Sequence, residues 1–291
     1  MFRTFRWRSG SSAPSPVCTL IVGLEILGPG TILVGANRDE SPGRPSSGPA
    51  RLRERPPVVG GRDLLAGGTW LAVREARFVS ALLNRRPAMS GSRAGASTGD
   101  SEPPLAPASP LRSRGLLCVD AAASGPGFEA PSAIDPATGD PYPARLDAAL
   151  RIIGRDRYAP CSLVGLEAGG PSWVIALRPD DEPRPSNLTP GWHVITHAEL
   201  DDAEEPRTRA LLARLRGERP RDAREGFELL SGLLRHHGDS SQPAVCLHRE
   251  RFPTVSSTLL ALGIPGAARY EHAGGPPCVT AFEDVSSLLF G

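Results

Sequence analysis

The chain has no lysine: all 33 of its basic residues are arginine. Asparagine is almost as scarce and occurs only as Asn37, Asn84 and Asn187. Codons for lysine and asparagine are A-rich, so the gene is read as very rich in G and C, a setting in which GTG start codons are plausible. The five cysteines (18, 118, 161, 246 and 278) show no C-x-x-C spacing. That leaves out the usual zinc and thioredoxin signatures, and an odd number makes no disulfide framework. A reducing, cytoplasmic setting fits this usage best. No apolar run approaches the roughly 18 residues of a membrane span. A net charge of +1 supplies no basic face for nucleic acid. What remains is ordinary: 291 residues, 40% of them apolar, enough for the core of one large domain or two small ones.

The most informative residue present is Cys18. The 17 residues before it (MFRTFRWRSGSSAPSPV) carry three arginines, no acid and no apolar stretch of signal-peptide length. They read first as translated upstream sequence, with Val17 as the true start, then as a propeptide, and third as an Arg- and Ser-rich transit segment. In the first two readings Cys18 becomes the amino-terminal residue. A terminal cysteine carries a thiol nucleophile and, one residue away at most, an α-amine of pKa about 7.7–8.0 that can take its proton.

Strands are expected at 18–24, 31–36, 69–73, 77–83, 161–167, 172–177, 191–196, 244–249, 255–262 and 278–282. Helices are expected at 112–123, about 143–154, 203–217 and 221–236. Residues 41–57 read as a Pro/Arg-rich connector, and 86–113, rich in Pro, Ser, Gly and Ala, as a flexible loop. The order is strands, helices, strands, helices, strands, which means α+β rather than alternating β-α-β.

Candidate chemistry clusters around A-N-R-D-E at 36–40, directly after an apolar strand. Arg38 would favour a Cys18 thiolate by charge, and Asp39 or Glu40 would orient the α-amine. Asn84, at the end of R-F-V-S-A-L-L-N, is equally well read as a turn residue or as a donor to a developing oxyanion. Gly68, Thr69 and Trp70 in G-G-T-W-L read as a hairpin turn with a core tryptophan, and also as a cleft wall. His193 reads as structural, His197 stays open, and His236, His237, His248 and His272 read as helix end or surface. Ser256, Ser257 and Thr258 read as strand residues able to line a pocket.

With these motifs together, the chain resembles the NRDE family, also called the transport-and-Golgi-organisation family. Members begin Met-Cys and continue with a strand and A-N-R-D-E, then R-P (here Arg44-Pro45), G-x-D (Gly61-Arg62-Asp63), G-G-T-W-L and a strand ending in Asn (Leu83-Asn84). L-T-P-G at 188–191, A-V-C-L at 244–247 and a T-x-S-S-T strand at 254–258 follow. The resemblance extends over nearly all of 18–291 and leaves 1–17 outside as an extension to a single domain.

The resemblance implies a four-layer αββα sandwich of the Ntn-hydrolase type, similar to cysteine acylases that cleave bile-salt amides, penicillin V and ceramides. It implies Cys18 as nucleophile, Asn84 as an oxyanion residue, and Arg38 and Asp39 beside the nucleophile. Asn37, Glu40, Gly68, Thr69, Trp70 and His197 would meet the substrate. Two positions depart from the family pattern: Thr196-His197 replaces S-N, and Pro253-Thr254-Val255-Ser256 lacks the arginine of G-T-R-S. The expected function is hydrolysis of linear C–N amide bonds in a small acyl amide, with no metal or cofactor. The alternative is a non-catalytic carrier of haem or another hydrophobic ligand, with Cys18, His193 and His197 as candidate ligands.

Overall fold

The computed structural model describes residues 18–85, 110–125, 133–178, 181–264 and 266–290. The 1–17 extension and most of the expected 86–113 loop (86–109) lie outside the described residues. In chain order the first half contains β1 (Thr19–Leu24), β2 (Ile32–Asp39), β3 (Ser46–Arg53), β4 (Val58–Asp63), β5 (Leu71–Arg74), β6 (Phe78–Asn84), α1 (Arg114–Ala123) and α2 (Ala144–Ile153). The second half contains β7 (Cys161–Glu167), β8 (Ser172–Leu177), β9 (Arg184–Leu188), β10 (Gly191–Ile195), α3 (Pro206–Leu215), α4 (Ala223–Leu234), β11 (Thr254–Leu262), β12 (Arg269–Ala273) and β13 (Glu283–Asp284).

The strands form two antiparallel sheets, one ordered β10-β1-β2-β11-β12-β13 and the other β3-β4-β5-β6-β7-β8-β9. Near-continuous apolar runs such as T-L-I-V-G-L mark strands buried on both faces, and the alternation of side chains sorts them into layers. Leu20, Val22, Ile32 and Val34 face Val73, Val79, Val164 and Leu166 across the gap between the sheets. Ile21 and Leu33 point the other way, onto Leu211 and Leu215 of α3 and Phe227 and Leu230 of α4. On the outer face of the second sheet, Phe78, Leu163, Trp173 and Ile175 meet Leu117 of α1 and Leu146 of α2. The result is the four-layer αββα sandwich that the resemblance implies.

Local chemistry fixes the helix starts. Asp222 caps α4 by accepting from the Glu225 amide, while Glu225 accepts from the Arg221 amide, a reciprocal pair that satisfies two otherwise orphaned N–H groups. Pro206 opens α3, and the Glu205 side chain accepts from the Thr208 amide. Gly35 lets α4 come close: a Cβ there would sit 3.2 Å from the Leu230 Cβ.

Three expectations for elements change, and 58–63 and 184–188 add strands that were not expected. Residues 46–53, expected in a connector, form the edge strand β3, and 184–188 form the other edge, β9. Residues 244–249 are not a strand, although Val245, Cys246 and Leu247 are buried. Both sides of β11 are already paired, with β2 and β12, so no edge is open to them there. Residues 278–282 are turn and coil after Pro276-Pro277, and β12 takes the place beside β11 instead.

Candidate active site

Cys18 stands one residue before β1, where the register that pairs Thr19 with Asn37 continues to Arg38. On the far side of β2, Arg38 pairs with Ser256 of β11. The row Cys18–Arg38–Ser256 therefore runs across three neighbouring strands at one end of the sheet. Ser256 Oγ is buried with no partner among the described residues.

A cleft of about 570 Å³ opens at this end. Of the expected site residues, Cys18, Arg38, Glu40, Thr69, Trp70 and Asn84 line it. The Arg38 guanidinium stacks 4.3 Å from the Trp70 ring centroid, donates to Ser46 Oγ at 3.1 Å and lies 3.9 Å from Glu40. Asn84 ends β6 opposite Cys161. It lines the cleft, and no hydrogen bond of its side-chain amide is found among the described residues.

The motifs of the wall interlock. Arg44 donates to Asp63 at 2.6 Å, and Asp63 also accepts from the Leu65 and Ala66 amides. A Cβ on Gly61 would meet the Trp70 ring at 2.3 Å, so only glycine leaves room for that indole. Five arginines (38, 44, 85, 112 and 114) and two acids (Glu40 and Asp63) face the cleft. Most are matched with carboxylates: Arg85 with Glu199 and Arg112 with Asp120. Arg114 has only the Pro160 carbonyl, at 2.9 Å, among the described residues.

The remaining expected residues lie elsewhere. The Asn37 side chain points to the helical layer, where its Nδ2 donates to the Leu234 and Val245 carbonyls at 2.9 and 3.1 Å. It ties α4 and the following loop to β2 rather than meeting a substrate. Gly68 is pressed under α1, where a Cβ would come within 2.1 Å of the Gly115 carbonyl carbon. The Thr69 amide donates to the Gly115 carbonyl at 3.1 Å, so this segment offers the cleft a wall and not a pair of free N–H groups. His197, just past β10, does not border the cleft. His193 holds Asp201 at 2.6 Å with Nδ1 and the Thr189 carbonyl at 2.7 Å with Nε2, which leaves neither nitrogen for a ligand.

Asp39 behaves differently from its neighbours. Its backbone carbonyl accepts from Cys18 Sγ at 3.7 Å, while its carboxylate turns to the helical side. There it accepts from Thr254 Oγ1 at 2.6 Å and lies 3.7 Å from Arg207 of α3. Burial pushes its pKa up to about 7, opposed in part by Thr254, Arg207 and Arg249. Burial likewise pushes the Cys18 thiol up to about 12, with Asp39 adding to the rise and Arg38 opposing it. With residues 1–17 attached, the sulfur is held as a neutral thiol.

Arg207 is the residue that sequence reasoning missed. It donates to Thr19 Oγ1 at 2.9 Å and brings a nearly buried cation to the Asp39 carboxylate, on a helix far from the motifs in sequence. The missing arginine of the late strand is a signal in hindsight, because a buried Asp39 needs a cation from some element. Away from the cleft, and against the absence of any zinc spacing, His237, Cys246, His248 and Cys278 also converge.

The profile of the family described as Transport and Golgi organisation 2 matches residues 31–237, more than half of the chain. The chain belongs to that family. Comparison with curated protein sequences gives no significant match. Among solved structures, it is similar to the N-acylethanolamine-hydrolyzing acid amidase ortholog of Caenorhabditis elegans, at 14% identity, covering 86% of this chain and 94% of that one, with a TM-score of 0.48. It is also similar to two single-residue variants of the conjugated bile acid hydrolase of Clostridium perfringens. Those match at 11% and 10% identity, with 93% of both chains covered and TM-scores of 0.45. No described helix is long and apolar enough to cross a membrane.

Proposed function

We propose that the protein is an amino-terminal-cysteine amidohydrolase that acts on a linear N-acyl amide once Cys18 heads the chain. The observation that carries this reading is the meeting of Cys18, Arg38 and Asn84 at one cleft, whereas Cys118 and Cys161 are sealed in the core. The Cys18 α-amine takes the thiol proton, and the thiolate attacks the amide carbon. Asn84 donates to the oxyanion, the protonated amine leaves, and water releases the acyl group from sulfur. An ammonium at residue 18 would lie beside a buried Asp39 whose Oδ2 has no hydrogen-bond partner, and its charge would favour both the thiolate and the carboxylate. The surplus of arginine, with Arg114 unmatched by an acid among the described residues, suits a substrate that carries a carboxylate or another anionic group.

The test compares the chain as encoded with one begun at Met-Cys18 and processed to Cys18, followed by intact mass after exposure to a thiol-directed acylating probe. One adduct per chain is expected on Cys18 of the processed form, and none on Cys18→Ala. A processed chain that takes no adduct on Cys18 overturns the reading.

The carrier alternative draws support from the same arginines, which would also receive the carboxylates of a haem. Its expected ligand set is not assembled, since His193 is engaged on both nitrogens and His197 stands away from the cleft. A haem titration with no spectral shift that depends on Cys18 or on the rim arginines would remove it.

A further inference from the structure

On the helical side of the first sheet, three segments distant in sequence bring four ligand-type side chains together. His237 lies just past the end of α4. Cys246, buried, and His248, exposed, belong to the stretch before β11, and Cys278 belongs to the turn between β12 and β13. Their ligand atoms all fall within 4.8 Å of one another. His237 Nε2 is 3.3 Å from His248 Nε2, His248 Nε2 is 3.1 Å from Cys278 Sγ, and Cys246 Sγ is 3.6 Å from Cys278 Sγ and 3.9 Å from His248 Nε2.

A tetrahedron with Zn–S of about 2.3 Å and Zn–N of about 2.0–2.1 Å spaces its ligand atoms roughly 3.3–3.8 Å apart. The observed separations bracket that range. The sulfur–sulfur distance is well beyond the roughly 2.05 Å of a disulfide, and both thiols are free. A donor set of two sulfurs and two imidazole nitrogens in this geometry selects zinc over magnesium or calcium, which take oxygen.

We propose that His237, Cys246, His248 and Cys278 form a structural zinc site. Zinc would displace the two thiol protons into solvent and be held by two thiolates and two neutral imidazoles through Nε2, a centre with no net charge. With four protein ligands it keeps no open position, which makes it structural rather than catalytic.

The surroundings show what such a centre would hold. Among the described residues, no helix or strand forms from Arg235 to Pro253. The His236 carbonyl gathers the Val245 and Cys246 amides at 2.8 and 2.9 Å, and Arg235 donates to the Pro277 carbonyl at 3.0 Å, one residue from Cys278. The metal would fasten this stretch to the turn and thereby position two parts of the cleft region. One is Phe252, which lines the cleft. The other is the Val245 carbonyl, which Asn37 of the nucleophile-bearing sheet holds.

The test counts metal by elemental mass spectrometry on the full chain purified under reducing conditions and offered zinc. One zinc per chain is expected. Cys246→Ser/Cys278→Ser should lose it, and His237→Ala, a change at an exposed position, should weaken zinc binding more than tenfold while leaving the fold intact by circular dichroism. Cobalt in place of zinc should show the strong visible bands of tetrahedral thiolate coordination, altered by Cys278→Ser. Substoichiometric metal after zinc loading, a cobalt spectrum indifferent to His237→Ala and Cys278→Ser, or a 246–278 disulfide in reducing buffer would each overturn the proposal. The outcome is independent of whether Cys18 reacts with acyl probes.

Discussion

Asn37 and Asn84 show how one residue type is used for two purposes in the same sheet system. Asn84 lines the cleft, and its loss should remove a donor needed only when charge develops on the substrate. Asn84→Ala is expected to lower kcat by roughly 10²–10³-fold with an unfolding midpoint within error of the parent. An equal loss in stability would reassign it as a turn residue. Asn37 donates twice to buried carbonyls. Asn37→Ala leaves both acceptors unmatched and should cost about 1–3 kcal/mol, measured by urea unfolding, with the Cys18 adduct still forming. From the sequence the two are indistinguishable, because strand alternation, and not residue type, decides which face each side chain takes. Arg38 points to the cleft and Asn37 and Asp39 point away because they alternate along β2. The hidden variable is which face of that strand meets the other sheet.

Among the elements, those whose residues alternate or run apolar were legible: β1, β7, β8, β11 and the four helices fall within a few residues of expectation. The edge strands were not. β3 and β9 carry Pro49 and Pro185, with arginine and serine around them, and edges tolerate proline because one side of the strand needs no partner. Residues 244–249 misled in the opposite direction, since an apolar run reports burial and not pairing. The G-G-T-W segment was legible as a turn but not as a joint, because its partner α1 lies across the poorly patterned stretch between β6 and that helix. Replacing Gly68 by alanine would drive a methyl group into the Gly115 backbone. It should cost about 1–3 kcal/mol or more, read as a lower midpoint in thermal unfolding. A neutral substitution would show that α1 yields at its first turn.

For the whole molecule, charge and burial together set a pH dependence that composition does not reveal. Asp39 is pushed up by burial from 3.8 to about 7, with Thr254, Arg207 and Arg249 opposing only in part. For His193, burial alone would lower the pKa, but the bonds to Asp201 and the Thr189 carbonyl outweigh it and raise the value above 6.5. In both cases the folded state binds its proton more tightly than the unfolded chain, so stability falls as pH rises across the interval between the two pKa values. For Asp39 that interval runs from 3.8 to about 7, and for His193 it begins at 6.5. Asp63 acts in the other direction. Its partial burial is outweighed by Arg44 and by the Ala66 and Leu65 amides, which lower its pKa, so its contribution is lost as pH falls through that lowered value. His272, whose pKa burial lowers from 6.5 to about 4, has the opposite sign and adds stability as pH rises across that interval, so it opposes Asp39 there and the separate contributions are read from variants in urea unfolding series. Relative to the parent, Asp39→Asn should make stability rise more with pH below 7, and His193→Gln should remove the fall above 6.5, whatever each does to the overall level. An Asp39→Asn profile parallel to the parent's below pH 7 would mean that Asp39 keeps no proton in the fold there. Asp39 would then be a carboxylate already stabilised by Arg207 before any α-amine arrives.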